Sequence, residues 1–174
     1  MTTTPAPALA PNRMQLQLQQ VDEFPRLLRP WVRNLVLRRA VPFTRTARVE
    51  FTEMTPNRVE VRLSNEHRVR NHIGGIHASA MNLLAETATG MVIGLNVRDD
   101  CVPLAKNMTM AFRKRATGAL RAVAVLTDAQ RQAMQASDKG EMQVQVTVTD
   151  ETGIEPVECE FTWAWIPSSR PQSN

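Results

Sequence analysis

NHIGGIHASAMNLLAETATGMVIG, residues 71–94, contains a turn followed by a helix. Gly74 and Gly75 open the backbone to conformations closed to other residues. From Ile76 onward apolar residues recur at Met81, Leu84, Ala88, Met91 and Leu95, a helical spacing. The helix is rich in Ala78, Ala80, Ala85, Ala88, Gly90 and Gly94, whose small side chains let its backbone lie close against a neighbouring surface. The other strong segments from residue 48 onward read as strands. A single small-residue helix among strands predicts an α+β fold in which a curved sheet encloses that helix, because each layer needs an apolar partner.

Working outward, the N-terminal side begins with a Pro/Ala/Thr tail over residues 1–12. Helices over 13–40 follow, broken by Pro25 and Pro30 and stopped by Pro42. Residues 48–52 and 58–63 alternate apolar and polar around Thr55-Pro56-Asn57, a hairpin signal. On the C-terminal side Met108, Met110 and Phe112 alternate with polar or small residues. Leu120 to Leu126 is apolar on both faces, and Asp128 to Gly140 is polar, a short helical turn or a loop. Two clean strands close the chain, over Met142 to Val148 and Cys159 to Trp165, before a loose tail over 167–174. The expectation is one domain over 13–166, with a hairpin, the helix and then a meander of four strands, about six strands in all.

Composition narrows the function classes. The 174 residues are 43% hydrophobic, yet no apolar run approaches the roughly 18 to 20 residues of a membrane span. The N-terminus lacks a basic start followed by an apolar stretch, so a cytoplasmic location is expected. Cys101 and Cys159 are read as free, structural thiols. Seven Arg against Asp22 and Glu23 give residues 1–45 a net charge of +5, whereas the chain from Arg48 onward carries −1. The basic excess therefore belongs to the N-terminal segment, read as solvated. With no Tyr and three Trp to stack on bases, nucleic acid is not an expected partner.

The run Asn71-x-x-Gly74-x-x-His77, with Glu86 nine residues later in Leu84-Ala85-Glu86, resembles the hot-dog-fold acyl-CoA thioesterases, in particular the phenylacetyl-CoA branch. That branch has roughly N-x-x-G-x-x-H-G-G and then L-A-D/E. Phe112-Arg113-Lys114-Arg115-Ala116-Thr117-Gly118 is similar to the family's F-x-x-P-A-x-x-G segment, shortened and without its proline. The resemblance spans about residues 47–167. Two departures stand out: Ala78 and Ser79 replace the two glycines after the histidine, and the carboxylate is Glu, as in some 4-hydroxybenzoyl-CoA thioesterases.

The resemblance implies a hot-dog fold and hydrolysis of an acyl-CoA to free acid and coenzyme A, with no cofactor beyond the coenzyme A of the substrate. It implies a catalytic set of Asn71, Gly75, His77, the backbone N–H of Ala78, and Glu86. Thioester hydrolysis needs an oxyanion site, which a helix N-terminus supplies through its unpaired N–H groups. It also needs a base or nucleophile, here Glu86. Nine residues at ~1.5 Å rise separate His77 from Glu86 by roughly 13 Å along the helix, too far to grip one thioester easily. Two antiparallel helices across a two-fold axis would bring Glu86 of one chain to His77 and Ala78 of the other. A homodimer or dimer of dimers with a composite site is thus expected.

Substrate contacts are expected from Arg113, Lys114 and Arg115, with Lys106 a weaker candidate, at the coenzyme A phosphates. Met81, Asn82, Met108 and Met110 are expected at the acyl group. The same residues have structural readings. Glu86 shares a polar stripe with Ser79, Asn82 and Thr89, His77 suits a helix cap, and Asn71 suits a turn. Ser79 has no suitably spaced base, and the five-residue spacing of His67, His72 and His77 fits no metal site. The alternative function is a non-catalytic hot-dog module that binds acyl thioesters or a partner protein; an acyl-thioester dehydratase on the same fold ranks below it.

Overall fold

In a computed structural model describing residues 9–168, the central stretch forms helix α4, Ala78–Gly94. Residues 1–8 and 169–174, which make up most of the two expected tails, lie outside the described residues. Helix α4 is apolar on more than one side: Leu84, Ala85, Ala88, Val92 and Ile93 are fully buried. Six strands surround it, β1 (Glu50–Met54), β2 (Arg58–Leu63), β3 (Cys101–Phe112), β4 (Leu120–Val125), β5 (Gly140–Asp150) and β6 (Val157–Pro167). Every pairing is antiparallel, in the order β1-β2-β4-β5-β6-β3. Along the β2–β4 pair, Val59 faces Ala124 and Val61 faces Ala122. The alanines are fully buried, so a small-residue helix meets small strand residues and the two backbones approach closely.

The expected meander is corrected in one respect. Strand β3 does not lie beside β4; it pairs with β6 from Cys101↔Pro167 to Phe112↔Val157 and forms the far edge of the sheet. Alternation within a strand reports which face is apolar, not which strand is its partner. The polar segment at 128–140 contains a helix, α5 (Asp128–Ala136), closed by a capping box between Thr127 and Gln130.

The N-terminal helices are α1 (Arg13–Val21), α2 (Arg29–Ala40) and α3 (Pro42–Ala47). Asn12, expected in the tail, is buried and caps α1, and its side-chain amide donates to Gly94 O and Val97 O at 2.8 Å. It thereby serves carbonyls at the end of α4 that have no partner within the helix. Pro42 does end α2, but it also starts α3, where its missing N–H costs nothing in the first turn.

Helix α2 lies along β1. Arg33 Nη2 donates to Thr52 O at 2.9 Å, Arg38 Nε to Val49 O at 2.7 Å, and Asn34 Oδ1 accepts from Phe51 N at 2.9 Å. One edge of the sheet is thereby covered, which protects unpaired strand groups. Among the described residues β3, at the other edge, pairs only with β6 and exposes Leu104, Met108 and Phe112.

Buried Asp150 fixes the β5–β6 turn. Its carboxylate accepts from Thr152 Oγ1 at 2.7 Å, from Thr152 N and Thr117 N at 2.9 Å, and from Ile154 N at 3.1 Å. These bonds, the Thr152 hydroxyl first, lower its pKa, so the stability it contributes is present above the unfolded value and lost as pH falls through the folded one. Asp150→Asn is expected to melt below the wild type at pH 7, with the gap closing as pH drops below ~3.9. Melting curves across pH measure it.

Candidate active site

The turn before α4 is held by Asn71. Its Oδ1 accepts from Ile73 N and Gly75 N, both at 3.1 Å, and its own N–H donates to Gly75 O at 2.8 Å. Gly74 sits at φ +80°, where a side chain would be strained. His77 N donates to Val69 O at 2.7 Å, and His77 Nδ1 accepts from Ser79 N at 3.1 Å, which makes His77 the N-cap of α4. That bond fixes the proton of a neutral imidazole on Nε2, which is left exposed. Asn71, Gly75 and His77 therefore act first on the turn: they aim the helix start. The N–H groups of Ala80 and Met81 return to His77 O at 2.9 and 3.0 Å. Among the described residues the Ala78 N–H has no partner, so it is the donor left free at the start of α4.

Ala78 and Glu86 line one open cleft together with Phe43, Ser79, Asn82, Leu83, Met110 and Phe112. Glu86 is half-buried, and its carboxylate has no hydrogen-bond or ion-pair partner among the described residues. Burial among these apolar side chains raises its pKa above the ordinary carboxylate value, the direction that suits a base working near neutral pH. A polar residue on a solvated stripe would show no such cost.

The cleft continues along α4 past Glu86 into an apolar stretch lined by Val41, Phe43, Leu83, Thr87, Gly90, Met91, Pro103 and Trp163. The ring of Trp163 is held by its Nε1, which donates to Thr89 Oγ1 at 3.0 Å. A Cβ on Gly90 would stand 2.8 Å from Trp163 Cη2 and 2.9 Å from Cζ2, so the ring would have to move. Beside the helix start a second branch is lined by Phe43, Arg68, Arg70, His77, Ser79 and Leu83. Phe43 and Leu83 border all three stretches.

The other expected contacts divide. Arg115 Nη2 donates to Ile73 O at 3.3 Å, which places the basic run next to the Asn71 turn. Arg113 is engaged by Glu158 at 2.7 Å, and Lys106 pairs with Glu141. Lys114 is exposed, and the N–H groups of Arg113 and Lys114 both donate to Pro156 O. Met81 is corrected: it is 8% exposed, packs in the core and does not border the Ala78–Glu86 cleft. Its position on α4 turns it to the sheet, as the spacing Met81, Leu84, Ala88 requires. Met110 and Asn82 do line the cleft, while Met108 is exposed on β3.

Phe43, Leu83, Gly90, Trp163, Arg68 and Arg70 were not anticipated at the site. The Phe43 signal was Pro42 itself, since a proline at a first helical turn predicts a helix after it. Among the described residues no cluster of His, Cys, Asp and Glu could hold a metal ion. Burial pushes the Cys159 thiol up to about 11 and raises that of Cys101, so both remain protonated at neutral pH.

Comparison with known proteins bears on the fold. A family model described as "Domain of unknown function (DUF4442)" matches residues 30–166. No curated protein matches the chain. Among solved structures, a Pseudomonas aeruginosa protein of unknown function, called a probable thioesterase, is similar with a TM-score of 0.69 at 24% identity; the match covers 75% of this chain and 91% of that one. A Haemophilus influenzae thioesterase has a TM-score of 0.61 at 14% identity, over 75% of this chain and 87% of that one. A Staphylococcus aureus thioesterase enzyme carrying a point substitution has a TM-score of 0.63 at 16% identity, over 73% of this chain and all of that one. The fold is thus the hot-dog fold that these structures share.

Proposed function

Because this chain belongs to the family described as Domain of unknown function (DUF4442), whose description assigns no activity, we propose its function from the site: hydrolysis of an acyl-CoA thioester to free acid and coenzyme A. The observation that carries it is that the Ala78 N–H and the Glu86 carboxylate, both without a partner among the described residues, border one cleft. The N–H, at the positive end of α4, would accept the charge that develops on the thioester oxygen. Glu86 would take a proton from the attacking water, or attack the carbonyl itself. The carbon–sulfur bond then breaks and the thiol leaves. That solved structures of the same fold are called thioesterases supports a thioester as the substrate.

Ala78 and Glu86 are eight residues apart, about 12 Å along the helix, so one chain does not readily close both ends on one carbonyl. We place the thioester between two chains. The free edge of β3, with Leu104, Met108 and Phe112 exposed, is the surface by which two copies would pair, since α2 covers the opposite edge. The acyl group would run toward Gly90 and Trp163, and the coenzyme A phosphates would lie toward Arg115 and Lys114 by the Asn71 turn.

Thiol release from a panel of short, long and aromatic acyl-CoAs tests the proposal. Selective release is expected; a panel left intact by the folded protein would favour the non-catalytic module, with the Ala78 methyl as the obstruction. Gly90→Ala probes the acyl direction. The better helix propensity of alanine gains about 1 kcal/mol, but displacing the Trp163 ring costs about 1–3 kcal/mol. A net loss of roughly 1 kcal/mol is therefore expected in denaturant titration, together with a selective fall in turnover of the longer acyl-CoAs.

A further inference from the structure

We infer that the outer face of α2 and the turn before it dock this protein peripherally on an anionic phospholipid surface, through a stripe of Leu27, Leu28, Trp31 and Leu35 flanked by arginines. Leu27 is 94% exposed, Trp31 66%, Leu35 54% and Leu28 49%. The spacing Leu28, Trp31, Leu35 puts these three on one side of the helix. The opposite side is already used, because Arg33 binds β1 and Leu37 is buried, while Asn34 and Arg38 at the margin of the stripe bond to Phe51 N and Val49 O. Among the described residues the four side chains stay about half or more exposed, and an apolar patch of this kind marks an interaction site.

Charge decides among occupants. Residues 1–45 carry seven Arg against Asp22 and Glu23, and Arg26 and Arg39 are exposed beside the stripe. A second copy docked symmetrically through this face would set the same basic segment against itself. An anionic surface is complementary to it. Leu and Trp on one face with Arg at its margin is the pattern of a helix lying in the headgroup region. No helix among the described residues is long and apolar enough to cross a membrane, so the attachment is peripheral. The inference does not depend on the chemistry proposed for the cleft.

The test uses the full chain with vesicles of phosphatidylcholine alone and of phosphatidylcholine with phosphatidylglycerol. Trp163 and Trp165 are 8% and 3% exposed, so a change in tryptophan emission reports Trp31. The expected result is flotation with the phosphatidylglycerol vesicles and a blue shift in emission. Both should weaken from about 0.1 to about 1 M salt, as the screening length falls from about 10 to about 3 Å. Leu27→Glu combined with Leu35→Glu, at two exposed positions, should leave the melting transition in place and abolish flotation. Flotation equal on neutral vesicles, none on either kind, or retention by the double variant would overturn the inference. So would shielding of Trp31 from a soluble quencher in a vesicle-free dimer, which would make a second copy the occupant, or vesicle-independent capture of an acidic peptide.

Discussion

Glu86→Gln is expected to lower kcat for thiol release by about 10²–10⁴, the usual contribution of a positioned general base, while leaving the fold intact. The amide keeps the shape of the carboxyl but neither accepts the proton of water nor attacks the carbonyl. Stability should move the other way. Burial raises the folded-state pKa of Glu86, so ionising it costs stability at every pH above its unfolded value of ~4.3. The variant should therefore melt above the wild type at pH 7 and level with it in acid. The same shift sets the activity profile: in the wild type kcat/KM should fall on the acid side at a pH above that of an ordinary carboxylate. A side chain required only for packing would give neither the acid limb nor a gain in stability on substitution.

Ala78→Pro is expected to cost about 10²–10³ in kcat, the range for loss of one oxyanion donor. Ala78 is the first residue of α4, after the N-cap His77, and proline is well accommodated there because its φ already suits the helix. The substitution deletes the N–H at this helix start that has no partner among the described residues and leaves the His77 cap bond to Ser79 in place. A melting temperature near that of the wild type with turnover lost would assign the loss to the donor. Unchanged kcat would move the oxyanion site elsewhere.

The sequence announced α4 because its small residues left few other ways to pack it, and Ala122 and Ala124 on β4 supply the matching surface. The Asn71 turn and Glu86 were legible from spacing. The roles of Asn71 and His77 divided as their structural readings had it, into turn and cap, because Asn71 Oδ1 and His77 Nδ1 are both occupied by backbone N–H groups. The place of β3 was not legible. Its first half, Val102 to Asn107, has no clean alternation and includes Pro103 and an irregularity in pairing between Ala105 and Asn107. Partner choice depends on long-range contacts that no local pattern carries. Met81 was misread because an apolar residue on a helix does not say which of two apolar surfaces it meets. Helix α5 had a readable signal in Thr127-x-x-Gln130, which the polar composition of the segment obscured.

One thioester gripped by Glu86 of one chain and the Ala78 N–H of the other is tested most directly by mixing the two inactive variants. After Glu86→Gln and Ala78→Pro chains are unfolded and refolded together, thiol release is measured against each alone. Half of randomly formed dimers are mixed, and each mixed dimer has one intact composite site, so recovery to about a quarter of wild-type activity is predicted. No recovery from a mixture proven to contain mixed dimers, or a wild type that turns over as a monomer, would contradict the shared site.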